Sequence, residues 1–378
     1  MPAKNFMVID ARRDDSFRIP RPDLTMSIGV PNARNQCRAD QTANWAARAV
    51  RERYAKNEPP FHYGQAIHAG RNASNGAERL LIKITNDPLT PTIARATAVS
   101  LLADYPSAGS WQAIEQGLTD RDPMVKVYAL NALKFIRASK RYKLAAGLLE
   151  DPVASVRITA SRILAATPRP YLSERLQIRL DQGIDEYIAA QQENADHACA
   201  HNNLGNLYLQ LDQQQKAGGA YKKALSLDPN YVPGYVNLAD LYRGQHQEHQ
   251  AEGVLRAALK ATPDTAIVYH ALGLSLVRQR AYEQALRSLQ HAVMLSPDNA
   301  RFGLAYAISL NSLGSTEKVP GLLQSLHEKG PTNRDDLISV VKMNRDAGHI
   351  EAALEYAEQL QREAPEDARI SEFRDELT

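Results

Sequence analysis

The sequence predicts an all-α fold: a helical-repeat solenoid made of two successive arrays, preceded by an irregular N-terminal strap. Three observations carry this. Pro229, Pro263, Pro297, Pro331 and Pro365 stand 34 residues apart without a slip. A shorter period of 31 residues runs through 76–168, and residues 1–75 follow neither spacing. Periods of this length are the mark of stacked supersecondary units, none of which buries its apolar face alone. The expected organisation is 1–75, 76–170 and 171–378, with the boundary between the arrays at Thr167-Pro168-Arg169-Pro170.

Composition sets the outer limits. At 378 residues the chain has room for two or three domains. Its 44% hydrophobic and 23% charged residues are those of a globular protein and argue against disorder. Cys37 and Cys199 are the only cysteines, which excludes a disulfide framework and a cysteine-rich zinc site. No run approaches the ~18 apolar residues of a membrane span. Phe6 to Ile9 is too short for the apolar core of a secretory signal, so the sequence reads as cytoplasmic or as a piece whose export signal is missing. Residues 1–170 carry ten more basic than acidic side chains, and 171–378 carry eight more acidic than basic. The arginines are dispersed and aromatics make up only 6%, so nucleic acid is not an expected partner.

In the second half, the register set by Pro229 places Leu204, Gly205, Tyr208, Ala217, Tyr221 and Ala224 before it. The next unit has Leu238, Ala239, Tyr242, Ala251, Leu255 and Ala258, and the third has Leu272, Gly273, Leu276, Ala285, Leu289 and Ala292. This register resembles the tetratricopeptide repeat. The resemblance implies two helices per unit, with small residues where they approach and a proline that ends the second. The fourth unit departs from the pattern: Val319 and Leu326 occupy its small positions, and Pro320 is expected to shorten or delay its second helix. The fifth recovers with Ala353 and Ala357. Residues 174–192 read as an amphipathic capping helix, and the acidic stretch 366–378 as the cap at the other end.

The middle array repeats Arg95, Lys126 and Arg157, then Ala98, Ala129 and Ala160, then Leu102, Leu133 and Leu164. Asp87-Pro88, Asp122-Pro123 and Asp151-Pro152 stand where Asp would cap a helix and Pro would fill its first turn. This pattern is similar to a short HEAT-type array of about three helix pairs, which gives a HEAT-like array followed by a tetratricopeptide superhelix.

The first 75 residues are of another kind. Residues 14–23 hold Pro20 and Pro22 in a polar run and read as an extended strap, and 40–56 as a helix. Arg18 and Arg21 are expected to pair with Asp10, Asp14 or Asp23. Met1-Pro2, Arg13-Asp14, Ser16 to Leu24, Gly29, Pro31-Asn32-Ala33 and His62-Tyr63 follow one another and lead into the repeats. That order resembles exported multihaem c-type cytochromes with a C-terminal tetratricopeptide domain. The resemblance implies a periplasmic setting and a haem c attachment motif directly after Ala33. Attachment needs two thiols and a neighbouring imidazole. The sequence there offers Arg34, Cys37 and Arg38, and Asp15 stands where the family has histidine. A guanidinium stays protonated and does not ligate iron. No cofactor and no metal ligand set is therefore expected. Cys37 reads as a small apolar residue, and His62 and His68, six apart, do not share a helix face.

No phosphate loop, dinucleotide fingerprint, nucleophile elbow or His-Glu-x-x-His is present, so no catalytic residue is expected. The candidate site is the groove lined by the first helix of each tetratricopeptide unit. Counting along the register places Asn202, Asn203 and Asn206 there, then Asn237, Asp240 and Arg243, then His270 and Arg278. Asparagine offers a donor and an acceptor together, which suits an extended peptide backbone. The alternative for these residues is bonding between neighbouring helices. The function expected is a non-catalytic scaffold for a protein or peptide partner; the alternative is a haem-less relative of an electron-transfer cytochrome.

Overall fold

The computed structural model describes residues 3–6, 10–13, 21–30, 40–54, 61–105, 107–133, 136, 138–313, 322, 341, 345 and 350–363. The chain divides into two compact units, 1–184 and 185–378. Both are built of helices, as the periods predict. The exception is a hairpin at the start, β1 (Ala3–Phe6) against β2 (Asp10–Arg13), with Ala3 opposite Arg13 and Phe6 opposite Asp10.

Of the expected strap, 14–20 lie outside the described residues, while its last positions differ from expectation. Pro22 opens a helix, α1 (Pro22–Ile28). Proline suits that first position because its missing N–H would have no partner there anyway. Arg21 fixes the entrance, donating from Nε and Nη2 to the two carboxylate oxygens of Asp23 at 2.9 and 2.8 Å. That grip holds the Asp23 carboxyl below the usual range. Gly29, at φ 69°, ends the helix in the left-handed region. Helix α2 (Ala43–Tyr54) falls within the span the sequence marks. Helix α3 (Tyr63–Arg71) carries His68, and His62 stands directly before it. His62 caps it: its Nδ1 accepts the Gly64 N–H at 3.0 Å while the Gln65 side chain accepts the His62 N–H at 3.0 Å.

Next come α4 (Ala77–Asn86), α5 (Thr92–Leu102), α6 (Ala108–Gly117), α7 (Pro123–Ala132), α8 (Ala138–Ala145), a 3-10 turn (Ala146–Glu150) and α9 (Ala154–Leu164). Helix α5 packs on α7, and α7 on α9. The 31-residue period is a period of burial, since Ala98, Ala129, Ala160, Leu102, Leu133 and Leu164 are all fully buried. Arg95 reaches Asp120 at 2.9 Å and Lys126 reaches Asp151 at 2.7 Å, while Arg157 donates to the Asp151 and Pro152 carbonyls.

The three Asp-Pro pairs do not act alike. Asp122 caps α7 as expected, accepting the Met124 N–H at 2.9 Å with Pro123 in the first helical position. Asp87 and Asp151 close turns ahead of their helices instead, accepting the N–H groups of Leu89 and Val153. There Pro91 and Val153 occupy the capping positions. All three aspartates bond the amide two residues on, so the bond is the same; only at Asp122 does the helix begin at the very next residue.

Helix α10 (Glu174–Gln192) follows the Thr167–Pro170 break and buries Leu180, Ile184 and Tyr187. The second unit continues through α11 (Ala198–Gln210), α12 (Gln214–Leu227), α13 (Val232–Gly244), α14 (Glu248–Ala261), α15 (Ala266–Arg278), α16 (Tyr282–Leu295), α17 (Ala300–Ser312) and α18 (Ile350–Glu363). Pro229, Pro263 and Pro297 each stand two residues past the end of a second helix. The turn inside each pair is closed by a left-handed residue at one register: Asp212, Arg280 and, between them, His246, at φ 57°, 60° and 59°. The following amide reaches back to the helix, as Ala281 N–H does to the Leu276 carbonyl at 2.9 Å. Small residues set the spacing of each pair. A methyl group at Gly205 would collide with the Tyr221 ring, and one at Gly273 would stand 2.6 Å from Leu289 Cγ. Ala217, Ala251 and Ala285 are buried opposite. Pro320 and the acidic cap 366–378 lie outside the described residues. Ala353 and Ala357 are buried with Leu304, Ala307 and Val341.

Two substitutions separate these effects in one melting experiment. Gly205→Ala should destabilise by about 1–3 kcal/mol through overpacking. Arg280→Gly should stabilise by about 0.5–1 kcal/mol, because it relieves a left-handed residue that carries a Cβ. A Gly205→Ala protein that melts at or above the wild-type temperature would contradict the packing argument.

Candidate functional site

The first helices of the repeats, α11, α13 and α15, pack in sequence, α11 on α13 and α13 on α15. That arrangement brings together asparagines one repeat apart. The Asn237 amide donates to Asn202 Oδ1 at 2.8 Å and to Asn206 Oδ1 at 3.2 Å. The Tyr221 hydroxyl also donates to Asn206 Oδ1, at 2.8 Å. Tyr221 is wholly buried, and burial, followed by the charge of Asp240, pushes its hydroxyl up to about 12. It therefore stays a neutral donor. With the oxygens of Asn202 and Asn206 engaged, the Asn206 amide hydrogens and the Asn237 oxygen have no bond among the described residues.

The other predicted residues take three different situations. Asn203 donates to Gln191 on α10 at 3.0 Å. Asp240 and Arg243 are exposed and pair with each other at 3.0 Å. Arg278 donates to Glu248 Oε1 at 2.6 Å, and the Ser275 hydroxyl reaches the other oxygen at 2.9 Å. Burial alone would raise the Glu248 carboxyl, but these bonds outweigh it and hold the group below its usual range.

Two predicted surface residues lie beneath the surface. Asn202 is buried under Asn237 of the next repeat. His270 is only 4% exposed, with its ring 4.7 Å from that of Phe302 on α17. The following repeat covers that position, which the register alone does not reveal. Neither His270 nitrogen has a hydrogen-bond partner. Burial, then the nearby charge of Arg301, lowers its pKa to about 4.

The register also passed over Tyr221, Glu248 and Gln191, which hold Asn206, Arg278 and Asn203. Tyr221 left a signal in the sequence. It stands where the next two units have Leu255 and Leu289, and a hydroxyl at a buried leucine position needs a partner. Arg34, Cys37 and Arg38 lie outside the described residues. Among those described, no group of three or more His, Cys, Asp or Glu side chains could hold a metal ion. No described helix is long and apolar enough to cross a membrane.

The surface is thus a polar strip on helices spaced by the 34-residue repeat. Tetratricopeptide-repeat family models match residues 198–231, 220–253 and 266–299. Residues 198–253 and 266–299 carry tetratricopeptide repeats. These matches leave residues 1–197 uncovered, so the likeness of the N-terminal segment to multihaem cytochromes rests on its sequence alone. No curated protein sequence matches the chain. Among solved structures, yeast Tom70 is similar over 86% of this chain and 66% of its own, at 16% identity and a TM-score of 0.53. That likeness shows a shared fold. YrrB, a TPR protein with an unusual peptide-binding site, covers 50% of this chain and 97% of its own at 22% identity, with a TM-score of 0.39. PilF of Pseudomonas aeruginosa covers 63% and 97% at 18% identity, with a TM-score of 0.41. The family matches and the Tom70 likeness agree on a helical-repeat fold.

The buried imidazole makes the array sensitive to acid. The folded pKa of about 4 lies below the unfolded value of 6.5, so the unfolded chain takes up its proton first. Stability should fall as pH drops from 6.5 towards 4, by on the order of 2 kcal/mol from this group. Melting curves of wild type and His270→Phe at pH 7 and pH 4.5 test it. The substitution should shrink the acid-induced drop, and equal drops in both proteins would contradict it.

Proposed function

We propose that this chain is a non-catalytic scaffold whose tetratricopeptide groove holds an extended peptide segment of a partner protein. The observation that carries this is the Asn206–Asn237 pair. A peptide backbone presents N–H and C=O groups in alternation, and this pair offers donors from Asn206 beside an acceptor on Asn237. Tyr221 and Asn202 hold both side chains in place, which reduces the ordering cost of binding. Asp240 and Arg243 add one charge of each sign within the same strip, suited to polar side chains of the ligand.

No cofactor enters this reading. One thiol and two guanidinium groups at Arg34, Cys37 and Arg38 do not fit a c-type haem, which needs a second thiol and an imidazole. The likeness of residues 1–63 to exported cytochromes favours a periplasmic setting. The scaffold reading does not depend on it.

The test begins with peptides selected from a displayed library against the full chain. Asn237→Ala, and separately Asp240→Ala with Arg243→Ala, should each weaken the selected peptides at least tenfold, or about 1.4 kcal/mol. The exposed double variant should melt within a few degrees of wild type. Asn206→Ala strands the buried Tyr221 hydroxyl and Asn237→Ala the buried Asn202 oxygen, each at a cost of about 1–3 kcal/mol, so the exposed double variant is the cleaner probe. Unchanged affinity in both variants would overturn the proposal.

A further inference from the structure

We infer that the face shared by α5, α7 and α9 in the first unit is a docking surface for an acidic amphipathic helix of a partner protein. The face is independent of the groove in the second unit. It is built by the 31-residue period, which puts Ile93 and Met124, and likewise Thr97, Tyr128 and Thr159, at equivalent positions of helices that pack on one another. The bond from Arg162 on α9 to the Asn131 side chain on α7 confirms that equivalent positions stand next to each other.

The row is apolar and open. Ile93 is 57% exposed, Met124 42% and Tyr128 36%, while Leu89 at the edge is 90% exposed. The threonines between them add little polarity. The Thr97 hydroxyl donates to the Ile93 carbonyl and the Thr159 hydroxyl to the Ser155 carbonyl, each at 2.7 Å. Such back-bonding uses up the hydroxyl within its own helix and leaves a methyl group as the residue's contribution to the face. Isolated exposed apolar residues need no explanation, but a row across three neighbouring helices marks a contact surface.

Charge selects the occupant. Two acids near this face are neutralised inside the unit, Asp120 by Arg95 and Asp151 by Lys126, while Asp122 and Asp87 bond neutral groups at the helix entrances. Arg121, two residues before α7, and Arg162 have no carboxylate partner among the described residues. Residues 76–170 carry 13 Lys and Arg against 8 Asp and Glu. The surface is therefore an apolar strip flanked by Arg121 and by Arg162, whose guanidinium bonds only the neutral Asn131 side chain. A second copy docking face to face would set like charges against each other. A helix with leucines on one side and carboxylates flanking them meets both features.

The probe is a labelled helical peptide with leucines along one face and glutamates on the other, titrated into the full chain. A second version carries lysine in place of glutamate. The glutamate peptide should bind at least tenfold more tightly than the lysine peptide. Ile93→Ser with Met124→Ser, and separately Arg121→Glu, should each weaken it tenfold or more without lowering the melting temperature. Asp240→Ala with Arg243→Ala should leave it unchanged, which separates this surface from the groove. Equal binding of the two peptides, or full binding by the face variants, would overturn the inference. So would ultracentrifugation showing that the face variants abolish a dimer while peptide binding stays the same.

Discussion

The close approach of paired helices at positions with little or no side chain governs the rest of the second unit. Gly205 lies against the Tyr221 ring and Gly273 against Leu289, and neither contact leaves room for a methyl group. Ala217, Ala251 and Ala285 are the buried small residues of the second helices. Helices held this near have one way to stack on the next pair, and α11, α13 and α15 come to lie side by side. Only then do Asn202 and Asn206 meet Asn237 across a full repeat. The polar strip is thus a consequence of packing. Tyr221 joins the two levels, since its ring fills the space beside Gly205 and its hydroxyl orients Asn206.

In the first unit, polar contacts do a different job. Exposed ion pairs contribute little, typically about 0–1 kcal/mol. The Asp151 side chain is nearly buried, though, so it needs Lys126. Breaking such a pair leaves a stranded charge, which costs far more than the pair itself gains. The Arg95–Asp120 and Lys126–Asp151 contacts are best understood as fixing the register of successive helices. Apolar burial at Ala98, Ala129, Ala160 and the matching leucines supplies the stability.

Much of this was legible in the sequence because a repeat distance is itself a physical quantity. A 34-residue spacing of prolines or a 31-residue spacing of buried alanines has few structural solutions. What escaped was either local chemistry without a marker or contact between distant residues. The left-handed turn residues Asp212, His246 and Arg280 lack the glycine or asparagine that usually announces such a turn. Helix α3 is capped by His62, which is not among the common capping residues. The Asp-Pro pairs look alike in sequence and make the same bond to the amide two residues on, but differ in how soon the helix begins after it. In the site, the register told which residues share a helix face. It did not tell that Phe302 covers His270 or that Asn237 roofs Asn202, because each cover comes from the next repeat.

Amide-resolved hydrogen exchange across residues 198–295, followed through a low-denaturant series, tests the interlocking of these helix pairs most directly. If each pair is locked by its small residues and leans on its neighbours, the amides of α13, α14, α15 and α16 should open together with a common free energy. Exchange of α13 and α15 at energies well apart from those of α14 and α16 would mean that the helices do not hold one another, and the account would be wrong.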